Sequence, residues 1–398
     1  MILVIGMVVY VAAWAAPSWT QLHRRSGAKD HASFHYAVQA AAAGQDPYDA
    51  AGLQALAEAD GVRTEVYPWI YPPPALLAFS WTLPLDFRLS QSVGWVLNHV
   101  ALAGLLVLLR RWFAPPLFLL GATLALFSPL QQSFGVGQIN PTIALLAAWG
   151  FSRRRAAGVA GAAWIKMSPA ILVVPWVLRR QWRPLAATAL VSLVLVAAAL
   201  PLAAPETQLR FFTVVLPGLG AGTYNGMSVP LDLNANHSLA NVFHQLLPSG
   251  SDHALSAPAS ALSKACSLGM LAAAALVSRT RRDPLGEGLL FGALATVMVV
   301  TPAYTYEHHL VLLLPAVVAA WTAGLQGRLP RWSLGLLAVG CVGLLWPLDA
   351  FRQALRAAPE LGWVIRESKL VGALTVGGLC LWAAHRSPRS GSEAPSGR

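Results

Sequence analysis

Charge is scarce in this chain. Only 11% of its 398 residues are charged, and acids are the rarer kind, 17 against 28 Lys and Arg. Soluble domains carry about 25% charged residues. With 56% hydrophobic residues and a mean hydropathy of +0.54, the chain holds more apolar sequence than one aqueous core absorbs. A soluble globular class is therefore excluded. Cysteine is nearly absent too. Cys266, Cys341 and Cys380 all fall in apolar segments, so neither a disulfide framework nor a CxxC metal site is implied. Polar–apolar alternation is missing from the apolar runs, which rules out a transmembrane barrel. No internal repeat is visible.

What remains is an all-α, polytopic transmembrane helical bundle. A span needs about 20 apolar residues, and the apolar segments suggest about 11–13 spans. Several segments are shorter, which fits broken helices lining a cavity. The first one, residues 1–19, has no basic stretch before it and reads as a retained helix, not a cleaved signal peptide. The domain expectation is one integral membrane unit over residues 1–386, followed by a disordered tail at 387–398.

The net charge is +11 and the pI about 10.1. The arginines cluster between apolar segments: Arg110-Arg111, Arg153 to Arg155, Arg179-Arg180 with Arg183, Arg279 with Arg281-Arg282, and Arg328 with Arg331. That is a cytoplasmic-loop pattern, so no nucleic acid is needed to explain the charge. Parity then puts two long polar loops, about residues 20–70 and 204–257, on the far side. Arg24, Arg25 and Lys29 resist this for the first loop. Either segment 71–85 is re-entrant and Asp30 lies outside, or it spans and Asp30 lies inside. The balanced charge of the loop favours outside. Between Asp30 and Ala43 the residues Phe34, Val38, Ala41 and Ala42 share a face, which predicts a short amphipathic helix on the membrane surface. The prolines Pro72-Pro73-Pro74 predict a helix that begins only after Pro74.

A carboxylate in the Lys29–Asp49 loop of so acid-poor a chain needs a reason. Asp30 is either a solvated loop acid paired with Lys29 or a catalytic base. Lys166 interrupts an apolar run at a cost of roughly 2.5–3.5 kcal/mol. It either snorkels to the interface or meets an anion. Arg24 and Arg25 could also meet an anion, though a solvated role suits them better. Asn140 before Pro141 predicts a helix N-cap. Gln138 has the chemistry to hydrogen-bond a hydroxyl. Glu307, His308 and His309 form either a polar helix cap or a substrate contact. Neighbouring helical histidines diverge by about 100° and no HExxH spacing exists, so no metal is expected. Asn236-His237-Ser238 matches a glycosylation sequon and reads as a loop motif.

Taken in order, these pieces form a pattern: Asp30, then Gly44 with Asp46-Pro47-Tyr48, Tyr71-Pro72-Pro73, Gly137-Gln138-Ile139-Asn140, Ile165-Lys166-Met167-Ser168-Pro169, Arg179-Arg180-Gln181-Trp182-Arg183, Asn236-His237-Ser238-Leu239, and Thr301-Pro302 with Glu307-His308-His309. The pattern resembles glycosyltransferase family 87, multi-pass enzymes of the GT-C class. The resemblance implies an inverting transfer of a hexose, most simply mannose, from a polyprenyl phosphate to a glycan or glycolipid acceptor. It implies an extracytoplasmic active face in the cell inner (plasma) membrane and no cofactor. Asp30 corresponds to the loop aspartate that serves as base, with Asp46 the nearest substitute. Lys166, Gln138, Asn140, Asp46, Tyr48, Tyr71, His308, His309 and Asn236 are the implied substrate contacts. One carboxylate suffices, because a phosphate leaving group departs without an acid if a cation receives it. A hydrolase would show a carboxylate pair. The rival from another class is a secondary transporter or flippase, for which inverted repeats would be expected.

Overall fold

The structure, a computed structural model, describes residues 2–24, 28–220, 223–225 and 227–388. It is α-helical nearly throughout, as expected. The exception among these residues is a two-residue antiparallel ladder, Thr223–Tyr224 on Met227–Ser228. Among the described residues, four helices are long and apolar enough to cross a bilayer: Leu3–Leu22, Phe87–Phe113, Ala257–Ser278 and Glu307–Leu325. Two bent pairs bring the number to six. Leu117–Leu126 meets Pro129–Gly135 at 61°, and Arg331–Leu345 meets Leu348–Ala357 at 90°. Uninterrupted spans are thus fewer than the apolar segments suggest, because prolines break several of them. Trp346 shows the cause: it precedes Pro347 and is extended (φ −66°, ψ 144°), so the helix stops before it.

The centre of the bundle is Pro284–Val300, where every residue from Gly288 to Val300 is buried. A helix apolar on all sides belongs in an interior. It packs along Gly362–Arg386 and Glu307–Leu325. A second apolar cluster, around Phe34, Tyr48, Trp69 and Phe79, encloses the helix Lys29–Ala42. That helix lies where the pattern predicts it, but not on a surface. His31 to Val38 are all buried, so the surface-helix expectation is corrected. Its polar residues also find partners inside: His31 Nε2 and Ser90 Oγ share a hydrogen bond at 2.9 Å. The amphipathic surface helix is Leu348–Ala357, which buries Leu348 and Phe351 and exposes Asp349, Arg352 and Arg356.

Segment 71–85 contains only Ala75–Phe79 and the turn Ser80–Thr82, beginning directly after Pro74. At about 1.5–2 Å per residue this cannot cross a ~30 Å hydrocarbon layer. The region around Asp30 and the start of Phe87–Phe113 therefore lie at one end of the bundle. The far end of that helix carries Arg110 and Arg111. At the same far end, Arg179 grips both Glu287 oxygens at 2.9 Å and donates through Nε to the Ser278 carbonyl at 2.6 Å. Arg328 pairs with Asp283 at 2.7 Å. The stretch 204–257 is partly ordered into Pro205–Arg210, continued to Gly220, and Leu239–Leu246. Ser387 is buried and its carbonyl accepts from Arg282 at 3.0 Å, while residues 389–398 of the expected tail lie outside the described residues.

Candidate active site

Asp30 occupies the first turn of Lys29–Ala42, where the positive end of a helix dipole favours a carboxylate. The side chain is only half-buried, yet dense protein surrounds it. Burial pushes its carboxyl up to about 6, and a hydrogen bond from Gln138 and the charges of Lys166 and Lys29 hold it from rising further. Such a carboxyl is ionised at neutral pH and basic enough to take a proton.

Gln138 reaches Asp30 because of Gly137. Its φ is +77°, and a Cβ there would sit 2.5 Å from His31 Cβ. Only glycine allows both the conformation and the close approach. The G-Q-I-N turn thus packs directly on the Asp30 helix. Gln138 Nε2 also donates to the Tyr71 hydroxyl at 3.1 Å. Asn98 Nδ2 fixes the Gln138 carbonyl at 3.1 Å from the neighbouring span.

Lys166 follows Ala156–Ile165 in an extended conformation (φ −146°, ψ 117°), so the helix break turns its side chain inward. Nζ donates to Asn140 Oδ1 at 3.1 Å, and Asn140 Nδ2 donates to the His308 carbonyl at 2.9 Å. This corrects the N-cap expectation. Ile139 occupies the cap position, and the Asn140 amide instead joins Lys166 to the His308 turn. His309 Nδ1 accepts from the Tyr306 amide at 3.2 Å, and its ring packs edge-on against His308 at 4.3 Å. Asp30, Tyr71, Gln138, Asn140, Lys166, His308 and His309 therefore form one constellation. Tyr71, Lys166 and His309 line a cavity of about 490 Å³ whose walls include Leu216, Leu219 and Met298.

Other expected contacts stand behind this constellation. Tyr48 is fully buried and donates to the Tyr71 carbonyl at 2.7 Å, so it holds Tyr71 in place. Asp46 accepts from the Tyr48 amide at 2.9 Å and forms an ion pair with Arg210. Asn236 spends its side chain on backbone: the carbonyls of Leu231 (3.0 Å) and Ala303 (3.1 Å) and the amide of Thr305 (2.9 Å). It is fully buried, and Ser238 of the same sequon caps Leu239–Leu246. Glu307 is not a polar cap at an interface. It is buried and pairs with Lys369 at 3.0 Å, while His237 Nε2 lies 3.7 Å from its other oxygen. Arg24 lines a separate polar cavity with Arg63 and Arg88. Arg25 lies outside the described residues.

Sequence reading missed Asn98 and Lys369. A lone asparagine in the middle of an apolar helix, and a lone lysine directly before the apolar run 370–385, were the available signals.

No curated protein matches the chain. Residues 69–302 match the family described as glycosyltransferase family 87. The match takes in Tyr71, Gln138, Asn140, Lys166 and Asn236; Asp30, Asp46 and Tyr48 lie before it and His308-His309 after it. With more than half its length matched and an apolar helical bundle around the site, this chain belongs to glycosyltransferase family 87 and is a membrane glycosyltransferase.

Proposed function

We propose that the enzyme moves a hexose, most simply mannose, from a polyprenyl phosphate to a hydroxyl of a glycan or glycolipid, with inversion at the anomeric carbon. Asp30 takes the proton of the acceptor hydroxyl. The freed oxygen forms a bond to C1 as the bond from C1 to the phosphate oxygen breaks. The electron pair leaves on that oxygen, opposite Lys166. Gln138 and Tyr71 orient Asp30 and offer polar contacts to the sugar between the two charges. No cofactor is required, because the leaving group is already a good one once a cation receives its charge.

The observation that carries this reading is the Asp30–Gln138–Tyr71 group standing beside Lys166 at an apolar-walled cavity. Lys166 lines this space, Asp30 stands close enough to Lys166 to feel its charge, and the walls suit a lipid better than a nucleotide. No glycine-rich phosphate loop is present in the sequence to hold a nucleotide sugar. Arginine-rich loops at the far end favour the cytoplasm there, which supports an extracytoplasmic Asp30. The test supplies purified enzyme and acceptor with polyprenyl phosphomannose or with GDP-mannose. Transfer is expected from the lipid donor. Transfer from the nucleotide sugar alone overturns the reading.

A further inference from the structure

The chain has four lysines, Lys29, Lys166, Lys264 and Lys369. Three have partners. Lys29 pairs with Glu65, Lys369 with Glu307, and Lys166 donates to Asn140. Lys264 has no ion pair or hydrogen bond among the described residues. It lies in Ala257–Ser278, a candidate membrane span, about 10 Å along the axis from the helix start at 1.5 Å per residue. Exposed apolar residues, Leu262 and Leu268, flank it. An ionisable side chain in a span is costly and marks a functional position unless it reaches water or an anion.

Lys264 lines the same cavity as Lys166, and Ser260 and Ser263 of its helix line it too. His309 adds a third nitrogen group to that wall. No Asp or Glu is among the lining residues, while Leu216, Leu219, Leu255 and Leu312 supply apolar surface. Two like charges facing one low-dielectric space repel each other. An anion between them removes that cost. The ligand that fits has one compact anionic group joined to a long apolar chain.

We infer that Lys264 is a second contact for the phosphate of the lipid-linked substrate, at the lipid-facing wall of the cavity. The inference rests on the lipid-donor reading above and adds a residue to it. Ala257–Ser278 is mostly exposed on its outer face, so a carrier lipid reaches Lys264 laterally from the bilayer before its phosphate meets Lys166. The phosphodiester of the donor carries one negative charge. The polyprenyl monophosphate left after transfer carries up to two. A second lysine therefore matters more for the product than for the donor.

The experiment measures binding of a polyprenyl monophosphate to the full-length enzyme and to Lys264→Met and Lys264→Arg, in nanodiscs of zwitterionic lipid. Loss of a charge-assisted contact predicts about tenfold weaker binding or more for Lys264→Met. Lys264→Arg should stay within a few-fold. The KM for the lipid donor should rise in the same order with a smaller amplitude. Binding within twofold of the parent for Lys264→Met overturns the inference and leaves a snorkelling lysine. A defect seen only in nanodiscs containing anionic lipid also overturns it, because bulk headgroups would then be the partner. Binding is read without turnover, so its outcome is separate from the donor test. A parent enzyme that binds polyprenyl monophosphate but transfers from GDP-mannose would fail the donor reading and leave the Lys264 result standing.

Discussion

Two of the carboxylate–lysine sets in this molecule are built to opposite ends. Glu307 and Lys369 are 3.0 Å apart and buried, and Lys369 spends its other protons on the carbonyls of Leu344 and Trp346 at 3.2 and 2.9 Å. Those carbonyls are freed by the helix break at Pro347. Three separate elements are thus tied at one point. Asp30 and Lys166 feel each other's charge but do not pair directly: Gln138 bonds one and Asn140 the other. The first set is sealed in the interior, with the second Glu307 oxygen facing His237 Nε2 at 3.7 Å. The second is held apart by amides, Gln138 on Asp30 and Asn140 on Lys166, and Lys166 still faces the cavity. A cell membrane enzyme needs both: a sealed pair to fix broken helices, and an open one to work.

The comparison can be broken from either side. Asp30→Asn keeps shape and removes the base, so transfer should fall about 10²–10⁴-fold. Folding and donor binding should be nearly unchanged. Activity within a few-fold of the parent would move the base to Asp46. Lys369→Met should do the reverse. It strands the buried Glu307 charge, at a cost of about 3–5 kcal/mol in stability. The double variant Lys369→Met with Glu307→Gln should regain much of this in thermal unfolding assays. A double variant as unstable as the single would mean the pair is not the lock described.

Lys166→Met should weaken use of the lipid donor by one to two orders of magnitude if it loses one charge-assisted contact. Lys166→Arg should restore part of it, limited by the different geometry of the guanidinium. Equal loss in both, or none in either, would contradict the phosphate role. The pH profile sharpens the same contrast. The Asp30 carboxyl is raised to about 6, and only its ionised form accepts a proton. Activity should therefore fall as pH drops through about 6. Because the folded value lies above the ordinary carboxylate range, ionising Asp30 at neutral pH works against folding and protonation at lower pH relieves it. A flat activity profile between pH 5 and 7 would remove Asp30 from the proton transfer. The smallest effect belongs to the exposed pair Lys29–Glu65, with side chains 30% and 61% exposed. Lys29→Ala should change stability by less than about 1 kcal/mol.

Much of the site was legible in order along the chain. Asp30, Tyr71, Gln138, Asn140, Lys166, His308 and His309 were all singled out by residue type and spacing, and they meet. Their roles were less legible. Asn140 before Pro141 reads as a cap, because capping is the local use of asparagine. The amide instead finds a partner 168 positions away. Glu307 reads as an interfacial acid because its lysine is 62 positions off. The helix Lys29–Ala42 reads as a surface helix because its polar residues look solvated. Ser90, a distant serine, accounts for two of its histidines.

The sequence by itself determined the class. Hydropathy and charge scarcity are sums over the chain, and no arrangement of the elements changes them. It also determined the local breaks, since proline acts on its own neighbour: the late start after Pro74 and the stop before Pro347. Glycine at 137 permits the turn that the chain makes there, with φ +77°. Only the tertiary structure decided what that turn approaches, which amide holds which charge, and which carboxylate is sealed or open. Those outcomes depend on groups from separate helices meeting at about 3 Å. Direction and distance between such groups are set by packing, which the order of residues does not display.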